Sequence, residues 1–125
     1  MNIKSSQTLV NEALEQVKTI SPQEALELFN DNKCNLIDLR DIRELQKEGK
    51  IEKSLHMPRG MLEFWLDPES PYSKSVDQNK EIVLFCAGGL RSALAAKSLK
   101  EMGFEKVSHI SGGFASMKSI GFKIV

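Results

Sequence analysis

The chain has 125 residues, of which 41% are hydrophobic and 27% charged, and its formal net charge is zero. This length predicts one small domain with a single core. Zero net charge without a run of basic residues excludes the usual signature of nucleic-acid binding, and no apolar stretch reaches the roughly 18 residues of a membrane span. The first residues lack the apolar core of a secretory signal, so we expect a cytoplasmic protein with no nucleic-acid or membrane partner.

Near the N-terminus, apolar residues recur at helical spacing and predict an amphipathic helix around Leu9, Ala13, Leu14 and Val17. We assign residues 1–19 to this helical extension, which would cap the sheet edge or form a partner surface. The next segment, Ser21-Pro22-Gln23-Glu24, combines an N-cap, a proline at the first helical position and a glutamate that reaches back. It predicts a second helix that runs to about Phe29.

Strands and helices then alternate along the chain. The predicted strands cover residues 34–39, 54–57, 82–85 and 107–110, and the predicted helices cover 41–48, 91–102 and 114–119. The stretch 58–68 is apolar at helical spacing and predicts a covering helix. Strict alternation implies a parallel sheet covered by helices on both faces, with right-handed crossovers.

The most informative segment lies between the strand at 82–85 and the helix at 91–102, where Cys86 is followed by Gly88 and Gly89. Glycines permit the positive φ and the close backbone approach that an anion-holding loop needs. A helix N-terminus and consecutive loop amides favour an anionic sulfur, and the thiolate is the reactive form of cysteine. A buried, inert cysteine is the alternative, and the flanking glycines favour the functional interpretation.

These residues resemble the rhodanese domain. The resemblance rests on Cys-x-x-Gly-x-Arg-Ser at 86–92, Gly-Phe-Glu-Lys-Val at 103–107 and Ser-Gly-Gly-Phe at 111–114, together with Leu-Ile-Asp-Leu-Arg-Asp at 36–41, Glu44 and Gly-Lys-Ile at 49–51. It covers about Ile20 to Val125, and we therefore assign 20–125 to a rhodanese-like domain. It implies an α/β fold of three layers, with a central parallel sheet of about five strands flanked by helices on both faces.

The resemblance also implies a sulfurtransferase in which Cys86 is the nucleophile and carries the transferred sulfur as a persulfide. The backbone of the loop would hold the sulfur's negative charge, through Ala87, Gly88, Gly89, Leu90, Arg91 and Ser92. Thiosulfate would be the small donor, and cyanide, a thiol or a thioredoxin-like protein the acceptor. This chemistry requires no cofactor, and a monomer is the default state.

Two side chains of the loop have open roles. Arg91 would either face a substrate anion or turn inward to one of the carboxylates of Asp38, Asp41 and Glu44, and we favour the inward position. Ser92 would cap the helix or donate a hydrogen bond to the persulfide, and capping is the favoured interpretation. We assign Asp38, Arg40 and Glu44 to structural support of the loop.

Arg59 and Trp65 belong to the stretch 58–68, which would meet an incoming thiosulfate if it arches over Cys86. A covering helix without substrate contact is the favoured alternative, because aromatic residues at helical spacing more often belong to the core. His56 and His109 fall in predicted strands, and we expect both to be structural. The two histidines and two cysteines lack metal-ligand spacing, so we expect no metal site and two reduced thiols.

Loop length separates two reactions within the resembled superfamily. Four residues lie between Cys86 and Arg91, whereas the related phosphatases and arsenate reductases have five. The shorter loop suits one sulfur atom better than a tetrahedral phosphate, so phosphatase activity ranks below sulfur transfer. A regulatory interaction module and a persulfide carrier that serves a partner protein are the remaining alternatives.

Overall fold

The computed structural model describes residues 2–125 and contains one five-stranded sheet. The strands are β1 (Lys18–Ile20), β2 (Cys34–Asp38), β3 (Leu55–His56), β4 (Glu81–Phe85) and β5 (Val107–Ile110). They lie in the order β1-β5-β4-β2-β3, and every neighbouring pair is parallel. The predicted parallel sheet of about five strands is confirmed.

Helices cover both faces of this sheet. They are α1 (Ser6–Gln16), α2 (Pro22–Asn30), α3 (Ile42–Glu48), α4 (Leu62–Leu66), α5 (Leu90–Met102) and α6 (Gly113–Met117). One apolar cluster joins the sheet to α2 and α6, and a second joins it to α4 and α5. The three-layer architecture expected from the alternation of elements is therefore confirmed.

Side-chain caps fix where two of these helices begin. The Oγ of Ser21 accepts a hydrogen bond from the amide of Glu24 at 3.1 Å, while the Glu24 carboxylate accepts one from the Ser21 amide. Asp41 and Glu44 form the same reciprocal pair at the start of α3. These capping boxes satisfy amides that have no partner within the helix, and the cap predicted at Ser21 is confirmed.

The edge strand β1 was not predicted. It has three residues, Lys18-Thr19-Ile20, of which only Ile20 is buried. One apolar residue cannot produce the alternation by which a strand is recognised in sequence, and the strand exists because β5 provides its hydrogen-bonding partner. The boundary that we placed between residues 19 and 20 falls inside this strand.

The N-terminal helix α1 packs on α5, where Val10 and Ala13 are buried against Ala93. At the other end of the contact, the Nζ of Lys100 donates to the carbonyl of Gln16 at 2.7 Å. The helix thus braces α5, whose N-terminus follows Cys86. Among residues 2–125, no helix combines the length and the apolar character that crossing a bilayer requires.

Candidate active site

Cys86 lies directly after β4, which pairs with β5 on one side and β2 on the other. Ligands of parallel α/β sheets bind beyond the carboxyl ends of the strands, and this is such a position. The strand pairing continues into the site, since the amide of Leu39 donates to the carbonyl of Phe85 at 2.9 Å. The loop therefore begins from a rigid base.

The sulfur of Cys86 is held by backbone donors. Its Sγ accepts hydrogen bonds from the amides of Gly89 at 3.2 Å and Ser92 at 3.3 Å, and the Oγ of Ser92 lies 3.6 Å away. The sulfur also faces the N-terminus of the 13-residue helix α5. Amide dipoles that point at one atom stabilise negative charge there, so this geometry favours a thiolate or a persulfide anion.

One glycine provides the turn that makes this possible. Gly89 precedes α5 with φ of +101°, a conformation that side chains rarely adopt. Gly88 does not share it: its φ is not in the left-handed region, and a Cβ there would meet nothing within 4 Å. The expectation that both glycines supply positive φ is therefore correct for Gly89 and wrong for Gly88.

The N-terminus of α6 supports the loop from the other side. The amide of Phe114 donates to the carbonyl of Cys86 at 2.8 Å, and the amide of Ala115 to the carbonyl of Ala87 at 3.2 Å. Gly113 permits this approach, because a Cβ there would collide with the Cys86 carbonyl oxygen and lie 2.9 Å from backbone atoms of Ala87. In the sequence, Gly112 and Gly113 served only as part of the family resemblance, and this structural role of Gly113 was not predicted.

Arg91 turns towards α3. Its guanidinium donates to both carboxylate oxygens of Glu44, at 2.8 and 2.9 Å. This ion pair raises the pKa of Arg91, with a smaller contribution from the nearby sulfur of Cys86, and it lowers the pKa of Glu44. Of the three carboxylates considered, Glu44 is the partner, and it ties the loop to the start of α3. The guanidinium still lies within electrostatic reach of the sulfur.

A buried ion pair lies beneath the same edge of the sheet. Arg40 is fully buried and makes a bidentate contact with Asp38, with distances of 2.9 to 3.2 Å. The guanidinium stacks 3.9 Å from the ring centre of Phe114 and donates to the carbonyl of Gly49 at 2.9 Å. It therefore connects β2 and the end of α3 to the helix that supports the Cys86 loop.

Arg59 and Trp65 lie on the segment that follows β3. The Arg59 side chain pairs with Glu63 at 2.8 Å, and Ser98 of α5 donates to the same carboxylate at 2.6 Å. The Trp65 ring is half-buried beside the apolar cluster that includes Cys86, with the Nζ of Lys74 3.9 Å from its centre. Both residues have protein partners, and a role in substrate contact stays a prediction.

The two histidines are engaged in hydrogen bonds. His56 Nε2 lies 2.7 Å from the carbonyl of Arg40. His109 is 2% exposed, and both its ring nitrogens contact hydroxyls: Nδ1 lies 2.9 Å from Ser92 Oγ, and Nε2 lies 2.8 Å from Thr19 Oγ1. Burial lowers the pKa of His109. Sequence reasoning missed this connection to the loop, because Thr19 and Ser92 are 90 and 17 residues from His109 along the chain.

Fold and loop together define a three-layer α/β domain that presents a cysteine sulfur within an anion-binding loop. The family model of the rhodanese-like domain matches residues 21–119. The chain therefore belongs to the rhodanese-like family, which includes sulfurtransferases among its named members.

Two curated relatives are named for sulfur chemistry. The thiosulfate sulfurtransferase GlpE of Coxiella burnetii is 31% identical over 102 residues, which cover 82% of this chain and 88% of that protein. The putative sulfur carrier protein YrkF of Bacillus subtilis is 32% identical over 97 residues, or 74% of this chain. The match spans about half of YrkF, 48% of its length.

A solved structure from Rhodopseudomonas palustris aligns over the whole chain, with a TM-score of 0.92 and 41% identity, and the alignment covers 97% of that chain. That protein is described as being of unknown function and a possible tyrosine phosphatase. The full coverage includes the segment around α1. The N-terminal extension therefore has a counterpart in that structure.

Proposed function

We propose that the protein transfers sulfane sulfur from thiosulfate, or from another persulfide donor, to a thiophilic acceptor through a persulfide on Cys86. The main support for this proposal is that the backbone amides of Gly89 and Ser92 donate hydrogen bonds to the Cys86 sulfur. The relatives named as a thiosulfate sulfurtransferase and as a sulfur carrier support the same chemistry.

The reaction needs two displacements on sulfur. The Cys86 thiolate attacks the outer sulfur of thiosulfate, the S–S bond of thiosulfate breaks, and sulfite leaves with the electron pair. The acceptor, which is cyanide, a thiol or a thioredoxin-like protein, then attacks the outer sulfur of the persulfide and releases the Cys86 thiolate. Both leaving groups are stabilised anions, so neither step needs a general base or a cofactor.

The loop amides would contribute most when Cys86 carries the persulfide. In the persulfide, the outer sulfur would carry the negative charge. The amides of the N-terminal turn of α5 have no acceptor within the helix and are placed to receive this charge. Arg91 adds positive charge beside the loop while Glu44 holds it in place.

Phosphatase activity is the second candidate, because the Rhodopseudomonas palustris protein is described as a possible tyrosine phosphatase. Two features of this chain favour sulfur transfer instead. Only four residues separate Cys86 from Arg91, and the Arg91 guanidinium is engaged by Glu44. A loop that must bind three phosphate oxygens needs more amides and a free guanidinium.

Intact mass measurement tests the proposal directly. The reduced protein is incubated with thiosulfate and its intact mass is measured by mass spectrometry. Cyanide is then added and the thiocyanate produced is measured. We expect a gain of one sulfur atom that is absent in Cys86→Ser and is discharged by cyanide. A parallel assay with p-nitrophenyl phosphate should give no Cys86-dependent product. Phosphate release without any sulfur gain would reverse the ranking of the two reactions.

The same mass assay separates an enzyme from a carrier or an interaction module. A carrier would accept the sulfur but discharge it slowly to cyanide and rapidly to one partner protein. A module without sulfur chemistry would show no mass gain with thiosulfate or with an organic persulfide. We expect rapid discharge to a small acceptor.

A further inference from the structure

A continuous chain of hydrogen-bonding groups leads from the candidate nucleophile to the edge of the sheet. Cys86 Sγ lies 3.6 Å from Ser92 Oγ, Ser92 Oγ lies 2.9 Å from His109 Nδ1, and His109 Nε2 lies 2.8 Å from Thr19 Oγ1. Cys86, Ser92 and His109 are almost fully buried, whereas Thr19 is exposed on β1. The chain of contacts therefore runs from a buried thiol to solvent.

This chain has two self-consistent arrangements of protons. When Cys86 is a thiol, the thiol donates to Ser92, the Ser92 hydroxyl donates to Nδ1, and the protonated Nε2 donates to Thr19. When Cys86 is a thiolate, every bond reverses: Thr19 donates to Nε2, the protonated Nδ1 donates to Ser92, and the Ser92 hydroxyl donates to the sulfur. The two arrangements require opposite tautomers of a neutral imidazole.

The surroundings of His109 favour a neutral ring in both arrangements. Burial disfavours the imidazolium, and both ring nitrogens face hydroxyls. The charged side chains on the neighbouring elements have other surroundings. On the two adjacent strands, Lys18 of β1 is exposed and Glu81 lies at the opposite end of β4. On α5, each cation has its own partner: Arg91 pairs with Glu44, Lys97 pairs with Glu101, and Lys100 donates to the Gln16 carbonyl. Cys86 is thus the ionisable side chain to which the hydrogen-bonded chain connects the ring.

We propose that His109 is a positioning residue that changes tautomer when Cys86 loses its proton, so that the Ser92 hydroxyl turns to the sulfur as its charge appears. One proton leaves the thiol for Ser92, the Ser92 proton moves to Nδ1, the Nε2 proton moves to Thr19, and the Thr19 proton passes to water. The sum is one thiolate and one proton in solvent. The inference rests on the proposed role of Cys86 as the nucleophile.

This arrangement would serve the reaction because the hydrogen bonding around Cys86 would change with the charge on its sulfur, although the loop backbone stays fixed. Backbone amides donate whether the sulfur is charged or neutral, but a hydroxyl that reverses gives its hydrogen bond only to the anion. Hydrogen bonds to charged acceptors are stronger than those to neutral ones, so the reversal adds stabilisation to the thiolate specifically.

Nitrogen-15 NMR of the imidazole rings tests the tautomer change without any sulfur donor. The chain has only two histidines, and His56→Asn identifies the His109 signals. We compare the reduced protein, at a pH where alkylation of Cys86 by iodoacetamide has reached its maximal rate, with Cys86→Ser at the same pH. We expect protonated Nδ1 in the former and protonated Nε2 in the latter. The same tautomer in both proteins would overturn the proposal.

Substitutions at His109 provide a second test. Asn places a polar amide near the position of Nδ1 and can turn either its donor or its acceptor to Ser92, whereas Leu can do neither. We expect His109→Leu to slow Cys86 alkylation at neutral pH by about tenfold, and His109→Asn to restore most of the rate. Equal rates in the two variants would contradict the proposal, and if the Leu variant does not fold, the NMR comparison decides.

These experiments separate the inference from the proposed function. Alkylation and ring NMR report the protonation of Cys86 and His109 and involve no sulfur transfer. If the His109 tautomer changes but the protein gains no sulfur from thiosulfate or an organic persulfide, the inference about His109 stands and the sulfurtransferase proposal fails. A sulfur gain without a tautomer change would do the reverse.

Discussion

The two cysteines lie at opposite ends of the sheet, and both are buried: Cys86 is 1% exposed and Cys34 is 7% exposed. Their electrostatic surroundings differ. Cys34 opens β2 beside Glu81, and burial together with that carboxylate raises its pKa to about 11. Cys86 follows β4 and receives two amide hydrogen bonds. Burial alone therefore does not determine the surroundings of a thiol, because Cys86 has backbone donors in place of water.

The largest effect should come from Gly113, which allows α6 to approach the Cys86 loop. Gly113→Ala places a Cβ against the backbone of Cys86 and Ala87 at a positive φ, so the loop must move. We expect sulfur loading to fall by at least about a hundredfold, because a displacement near 1 Å disrupts such a site. Gly60→Ala is the matched control, since its Cβ would meet nothing within 4 Å. Equal loading rates would show that α6 does not position the loop.

The largest effect on the free energy of unfolding should come from the buried pair of Arg40 and Asp38, which lies beneath the edge of the sheet that carries Cys86. Arg40→Met leaves the Asp38 carboxylate buried without its partner, and we expect a loss of about 3–5 kcal/mol in the free energy of unfolding. Arg43→Met removes an exposed pair with Asp41 and should change stability little, since the Arg43 side chain is 85% exposed. Urea denaturation of both variants measures the difference. A similar loss in both would mean that the buried pair has no special role.

Local signals predicted most of this architecture. The cap at Ser21 and the alternation of apolar segments predicted the helices and four strands, because these depend on neighbours within a few residues. The exceptions depend on distant partners. β1 needs β5, and the contact of His109 with Thr19 joins residues 90 positions apart. Sequence patterns carry no record of such pairings.

The candidate site likewise has features that follow from contiguous sequence and others that depend on distant partners. The loop from Cys86 to Ser92 is a contiguous segment, so its position after a strand and before a helix was readable from the order of residues. Which carboxylate Arg91 would reach was left open among three, because the choice depends on how α3 lies against α5. The hydrogen bonds from Phe114 and Ala115 join α6 to the Cys86 loop, which is distant in sequence, and no local pattern predicts them.

A smaller effect should follow from removing the partner of Arg91. Glu44→Gln should lower the free energy of unfolding by about 0.5 kcal/mol at neutral pH, because both side chains are partly exposed. Since the pKa of Glu44 is lowered in the folded state, the pair stabilises the fold above the ordinary value of 4.5 and loses this effect as the pH falls below it. The stabilities of the two proteins should therefore converge in acid, and a difference that persists there would exclude the ion pair as its cause.

Cys34 should affect stability only in alkali, and this sharpens its contrast with Cys86. Its pKa of about 11 exceeds its ordinary value of 9.0, so between these values the unfolded chain releases a proton that the folded chain retains. Stability must then decrease with rising pH in that interval, and Cys34→Ala should decrease less steeply than the wild type. Denaturation curves at stepwise pH give both slopes. Parallel slopes would mean that Cys34 is less isolated from water than its burial indicates, and the contrast between the two ends of the sheet would then rest on the amide donors alone.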